Sequence, residues 1–313
     1  MPRSEAHEAR NAAVREGFRS VKDARAASVP TADAIVSTCE TLKVAHKVED
    51  VPDSQGARLH WIGDASPRNT ILYFHGGGLG LPAIPGHIIF LVQSQQKLAA
   101  DGKTFSIAFL EYGLTPEIKF PIQHMQAVQS LKYLIQSGRK ASEIIISGDS
   151  AGGNLALGVL SATRHSREGI PSLNLDTNLR GAALISPWVC LNSKSASVQQ
   201  NQDKDIVTAA IQDGLREELI TPSEMDEFAE AIRAPTEWWT GIPVDSILSL
   251  AGSDEIFRDD IVTTAGVLRK AGLRVESIVC RDQVHIDCVL DAQSGLEVGD
   301  MSYAYWGWLK TTL

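Results

Sequence analysis

Long apolar runs are missing from this chain. No stretch approaches the roughly 18 or more uninterrupted apolar residues that a membrane-crossing helix needs, and the first twenty residues are polar and charged, unlike a secretory leader. A basic stripe is also missing. The 29 lysines and arginines are scattered among 38 aspartates and glutamates, leaving a formal net charge of −9. That balance argues against nucleic acid or an anionic membrane as partner, and simple solubility accounts for it. Cysteine is sparse. Cys39, Cys190, Cys280 and Cys288 show no C-x-x-C spacing and no pairing with histidines at zinc-ligand intervals, so neither a metal site nor a disulfide framework is expected. Free, mostly buried thiols suit a reducing compartment, and the expected location is cytoplasmic. No internal repeat, low-complexity tract or long linker breaks the chain.

What is present points to one large α/β domain. The 313 residues, 43% of them hydrophobic, suffice for a sizeable core. Residues 1–40 read as helix; Pro30 breaks the run, and another short helix is expected from Ala32 to Leu42. Segments 44–48 and 57–62 read as antiparallel strands around the turn Ser54-Gln55-Gly56. From Thr70 onward strand and helix alternate: strands at 70–75, 104–110, 143–147, 181–186, 246–251 and 274–280, and helices at 87–100, 122–137, 151–165, 258–271 and about 297–311. The strands carry Ile, Leu and Phe on both phases. A mainly parallel, twisted sheet buried by helices on both faces is therefore expected.

The most informative residues are Gly148-Asp149-Ser150-Ala151-Gly152, placed between the apolar run Ile144-Ile145-Ile146 and a helical stretch. This is G-x-S-x-G on a strand-to-helix turn, a spacing that lifts a serine hydroxyl clear of the sheet. A lone serine is a weak nucleophile and needs both a base and a place for the oxyanion. The strand at 70–74 runs into His75-Gly76-Gly77-Gly78, whose uncrowded N–H groups, with that of Ala151, can converge on such an oxygen. Among eight histidines, His285 lies in a loop after a late strand, where the base is needed. Asp254 and Glu255 follow the strand at 246–251, and either supplies the acid in the order Ser, acid, His.

Three stretches carry a family resemblance: His75-Gly76-Gly77-Gly78, the Gly-Asp-Ser-Ala-Gly-Gly-Asn run at 148–154, and Glu111-Tyr112-Gly113-Leu114-Thr115-Pro116-Glu117 with Phe120-Pro121. Together they resemble the hormone-sensitive-lipase-like esterases of the α/β-hydrolase fold, most of all fungal members, from about residue 55 onward. Gly113 stands where that family carries arginine. The family pattern D-x-L-R-D, with its arginine set on Arg258, implies Glu255 as the acid and leaves Asp254 as runner-up. The resemblance also implies a helical cap, built from residues 1–45 and an insertion at 189–245, over a core formed by 46–188 and 246–313. The insertion breaks the alternation, with amphipathic helices expected at 211–218 and 223–233. Candidate pocket walls are Leu79, Leu81, Asp149, Trp188 and cap residues near Phe228 and Trp238, although Trp238-Trp239 also suit core packing.

The activity expected is cleavage of a carboxylic ester of medium, largely apolar character, without metal or organic cofactor, by a monomer or homodimer. Fungal relatives imply an acetylated or lactonised natural product as one setting. Acyl transfer, cyclisation or amide hydrolysis would use the same residues. A non-catalytic ligand receptor on this fold would typically lack a working base, and His285 weighs against it.

Overall fold

A computed structural model describes residues 4–18 and 20–313. Three helices come first: α1 (Glu5–Gly17), α2 (Val21–Ala26) and α3 (Thr31–Leu42). Pro30 sits at the N-cap of α3, where its missing N–H costs nothing. The short helix expected over 32–42 is α3, and the run before Pro30 forms two helices, α1 and α2; residues 1–3 and 19 lie outside the described residues. The sheet elements follow: β1 (His46–Asp50), β2 (Arg58–Ile62), β3 (Thr70–Phe74), α4 (Pro85–Ala99), β4 (Ser106–Glu111), α5 (Ile122–Gln136), β5 (Ile144–Asp149), α6 (Ala151–Ala162) and β6 (Gly181–Ile185). Two short helices, α7 (Ala196–Asn201) and α8 (Ala209–Leu219), precede β7 (Ile247–Gly252), α9 (Arg258–Lys270), β8 (Val275–Cys280), α10 (Asp287–Ser294) and α11 (Asp300–Thr312).

The strands form one eight-stranded sheet in the order β1-β2-β4-β3-β5-β6-β7-β8. Only the pairings of β1 with β2 and of β2 with β4 are antiparallel. Successive side chains of a strand point to opposite faces, and the core divides accordingly. Leu72, Phe74, Leu110, Ile146 and Leu184 pack in one cluster; Ile71, Tyr73, Phe109, Ile145 and Ile185 pack in the other. The mainly parallel sheet is the one the alternating pattern predicts, and the α/β-hydrolase fold implied by the family resemblance is the one observed.

The segment 189–245 departs from expectation. No helix forms over 223–233; short 3-10 turns at Pro222–Glu224 and Ala231–Arg233 stand there instead. The reason is local. The Asp226 carboxylate accepts the N–H groups of Phe228 and Ala229 and pairs with Arg167, which favours a turn over a continuing helix. The segment is fastened to the core through Asn154 on α6. Its amide donates to the carbonyls of Trp188 and Ala229 at 2.9 and 2.8 Å. Within the segment, Leu191 N–H donates to the Glu230 carboxylate at 2.7 Å.

Candidate active site

Ser150 stands between β5 and α6 with φ 52° and ψ −117°. A non-glycine residue held there typically stores about 1–3 kcal/mol, sustained by its surroundings. Those surroundings are main chain. Ser150 N–H donates to Ile185 O at 2.9 Å, and Ser150 O accepts from Trp188 N–H at 2.8 Å. A β-carbon on Gly152 would overlap the Phe74 carbonyl, and one on Gly148 would overlap Gly152. The two glycines of the motif are required because strand β3 passes this close.

The glycine loop is shaped similarly. Gly77 and Gly78 have φ +101° and +60°. A side chain on Gly77 would come within 2.5 Å of Leu81 O, while one on Gly78 would strike Leu215 of α8. Asp149 is fully buried and faces this loop, not the cavity. It accepts from Gly76 N–H at 3.0 Å and Tyr73 Oη–H at 2.8 Å, and meets His87 Nε2 at 3.2 Å. Burial works against its charge, but His87 and the Tyr73 hydroxyl outweigh this and hold the carboxyl below its usual value. His75 lies beneath the loop, stacked on Tyr112 at 4.3 Å. Burial first, then the neighbouring His87, pushes it down to about 3, so it is neutral. Its Nδ1–H donates to Gly76 O at 2.6 Å.

His285 precedes α10 and is buried, with the Phe257 ring edge-on at 5.1 Å. Its Nδ1 faces Glu255 Oε1 at 3.5 Å. The other oxygen, Glu255 Oε2, accepts from Ser186 Oγ–H and Gly252 N–H, both at 2.7 Å. Burial disfavours a charged imidazole, yet Glu255, then Asp205 and Asp149, raise His285 above the ordinary histidine value. Asp254 points elsewhere: its carboxylate pairs with Lys204 at 3.3 Å and its N–H donates to Gln283 O.

Two neighbours of this group had no signal in the sequence. Ser186, with φ 45°, donates to Glu255 and accepts from Ile286 N–H at 3.1 Å, joining Glu255 to the loop of His285. Asp205, wholly buried, accepts His285 N–H at 3.0 Å. Burial pushes its carboxyl up to about 6, although His285 and the N–H donors favour the anion.

Ser150, His285, Gly77 and Gly78 all line one cavity of about 140 Å³. Its walls are largely apolar: Phe18 and Ala24 from the N-terminal segment, Leu81 and Ile84 from the stretch after the glycine loop, Trp188 after β6, Ile206, Ile211 and Leu215 from the segment 189–245, and Phe257. Leu79, Asp149, Phe228 and Trp238 lie outside that lining. Leu79 is buried in the core. Phe228 packs edge-on against Trp238, and Trp238 stacks on His165 at 3.6 Å and donates to Ser161 Oγ. Gly113, in the arginine position, leaves no room for one, since Ile118 sits 2.5 Å from where a β-carbon would be.

A strained serine between strand and helix, a glycine loop on the neighbouring strand and a late histidine beside a carboxylate thus gather around one cavity of an α/β sheet. The model of the alpha/beta hydrolase fold matches residues 71–288, and the chain belongs to that family. It is 27% identical over 217 residues to an acetyl-hydrolase of Streptomyces hygroscopicus, covering 66% of this chain and 64% of that protein, so just under two thirds of the relative is spanned. An esterase of Gibberella moniliformis is 25% identical over 237 residues, 72% of this chain and 69% of that one. Among solved structures, a thermostable esterase from Pseudomonas putida has the same fold, with a TM-score of 0.76 and 22% identity over 100% of this chain and 96% of that one. Among the described residues, no helix is long and apolar enough to cross a membrane.

Proposed function

We propose that the chain is a serine esterase that cleaves carboxylic esters through an acyl-enzyme. In this reading Ser150 attacks the ester carbonyl while His285 takes its proton, and Glu255 holds the imidazole and stabilises its charged form. The N–H groups of Gly77, Gly78 and Ala151 hold the oxyanion, with Gly76 shaping the loop. His285 then protonates the leaving alcohol, and water repeats the sequence to release the acid. The single observation that carries the reading is the convergence of Ser150, His285 and the glycine loop on one apolar cavity, with Glu255 behind the histidine. The 3.5 Å contact of His285 with Glu255 belongs to a resting site, and such contacts tighten as the imidazole acquires charge.

Residues 1–45 and 189–245 serve in this reading as one cap, since both supply walls to the cavity. A cap of this kind excludes water and sets the substrate's size. The volume of about 140 Å³ is close to that of an apolar cavity that accommodates benzene, about 150 Å³. Short to medium acyl groups therefore fit best. The similarity to an acetyl-hydrolase and to a fungal esterase supports acetyl esters as first substrates and a fungal-type assignment. The test is a panel of p-nitrophenyl esters from acetyl to decanoyl, run beside Ser150→Ala. Turnover that peaks at short chains and vanishes in Ser150→Ala is expected; binding without turnover in the unaltered protein would refute the reading.

A further inference from the structure

Glu255 is not the only carboxylate that engages His285. Asp205, in the connection between α7 and α8, has no exposed surface and uses both of its oxygens. Oδ1 accepts N–H groups from Ile206 at 2.8 Å and from His285 at 3.0 Å. Oδ2 accepts from Ile256 N–H at 2.8 Å. One side chain thus grips the residue after Glu255 and the histidine itself, reaching both from the segment 189–245. Its neighbours extend the grip. Asn201 Nδ2 donates to Glu255 O at 2.9 Å and Ser253 O at 3.1 Å, and Ser197 Oγ donates to Ile256 O at 2.6 Å.

From this geometry we infer that Asp205 is a positioning residue of the reaction: it fixes the spacing of the loops that carry Glu255 and His285, and it supplies a second negative charge to the imidazolium. This rests on the esterase reading above. The donors explain why a carboxylate stands there. Three N–H groups converge on two oxygens, and every lone pair in use faces a main-chain donor. An amide offers one oxygen, so its NH₂ group would confront either Ile256 N–H or the pair from Ile206 and His285. A buried donor facing a donor loses the bond and pays the desolvation besides. The charged and titratable groups facing His285 are Glu255 from the β7–α9 loop, Asp205 from the α7–α8 connection and Asp149 at the end of β5. Those facing Asp205 are His285 and Glu255. The neighbouring Lys204 is engaged with Asp254. Removing the charge at 205 leaves Glu255 as the principal support of the imidazolium, which moves the protonation of His285 to lower pH.

The test compares Asp205→Asn with Asn201→Ala, with Ser150→Ala and the unaltered protein alongside, across pH 5–9 on p-nitrophenyl acetate. Asp205→Asn is expected to lower kcat on the order of 10- to 100-fold with KM changed less than about threefold, and to move the acid limb of kcat/KM to lower pH. Asn201→Ala loosens the same grip without touching charge, so kcat falls several-fold while the limb stays. A limb that stays in place in Asp205→Asn overturns the electrostatic role, and kcat within twofold of the unaltered protein in both variants overturns the inference altogether. Full activity in Ser150→Ala would instead dispose of the esterase reading. Should Asp205→Asn fail to fold, hydrogen exchange in Asn201→Ala decides: faster exchange at the His285 and Ile256 amides than in the unaltered protein supports the linkage, and unchanged exchange there refutes it.

Discussion

Two regions face each other across the cavity and are held in different ways. The turns at 75–78 and 148–152 are shaped by main-chain atoms so close that side chains have no space: Phe74 against Gly152, Leu81 against Gly77. The segment 189–245 has little regular structure and takes its position from a few side chains that reach far along the chain, among them Asn154, Asp205 and Glu230. The first region tolerates almost no substitution because its geometry is steric. The second can be redrawn one bond at a time.

The sharpest way to break this contrast lies at the carboxylates, which join the two regions. Glu255→Gln is expected to lower kcat by about 10³–10⁴, following the triad precedent, whereas Asp254→Asn stays within about threefold because its carboxylate pairs with Lys204. Ester turnover by both variants checks the assignment, and the reverse ranking would overturn it. Next comes the steric region. Gly77→Val must accommodate a φ of +101° and a β-carbon 2.5 Å from Leu81 O, so the donors of the loop shift and kcat falls by about 10²–10³. Retention of full activity would mean that the loop is pliable after all.

The pH dependence is a smaller effect that tests how the two regions share charge. His285 is raised above the ordinary histidine value of about 6.5 by Glu255, Asp205 and Asp149, against the effect of burial. A base works unprotonated, so activity is present above its pKa and is lost as pH falls through it. The acid limb of kcat/KM is therefore expected above about pH 6.5, and a limb well below this would contradict the role of the surrounding carboxylates. The smallest effect belongs to the irregular region. Thr208 caps α8 by accepting Ile211 N–H at 3.3 Å, and Thr208→Ala should cost about 1 kcal/mol in denaturant unfolding.

The two regions also differ in how plainly the amino-acid sequence announces them. The glycines around Ser150 and after His75 are visible as motifs because their steric requirement falls on residues adjacent in the chain. The residues alone leave Asp254 and Glu255 open as the acid, and the family resemblance, with its arginine set on Arg258, implies Glu255. The alternation that predicts the sheet is equally local, since each strand must be apolar on both phases to be buried on both faces. Ser186 and Asp205 left no trace, because each acts on a partner 100 or 80 positions away, and a single serine or aspartate in a loop carries no spacing to read. The helix expected at 223–233 failed for a similar reason: its apolar periodicity was real, but Asp226 captured two N–H groups that a helix would have used. Asp149 and Trp238 were expected at the cavity wall. One serves the glycine loop from below and the other packs on His165.

The bonds from Asn154 have a consequence for motion. Asn154, one turn into the helix that follows Ser150, grips Ala229 and Trp188, so the segment 189–245 is bolted to the frame on that side. On the opposite flank α2 and α8 are coupled by Arg25 and Glu218 at 2.7 Å, and the same arginine grips the carbonyls of Gly80 and Thr115. Spreading α2 from α8 would therefore break an ion pair and strip two carbonyls of their donor in the same motion.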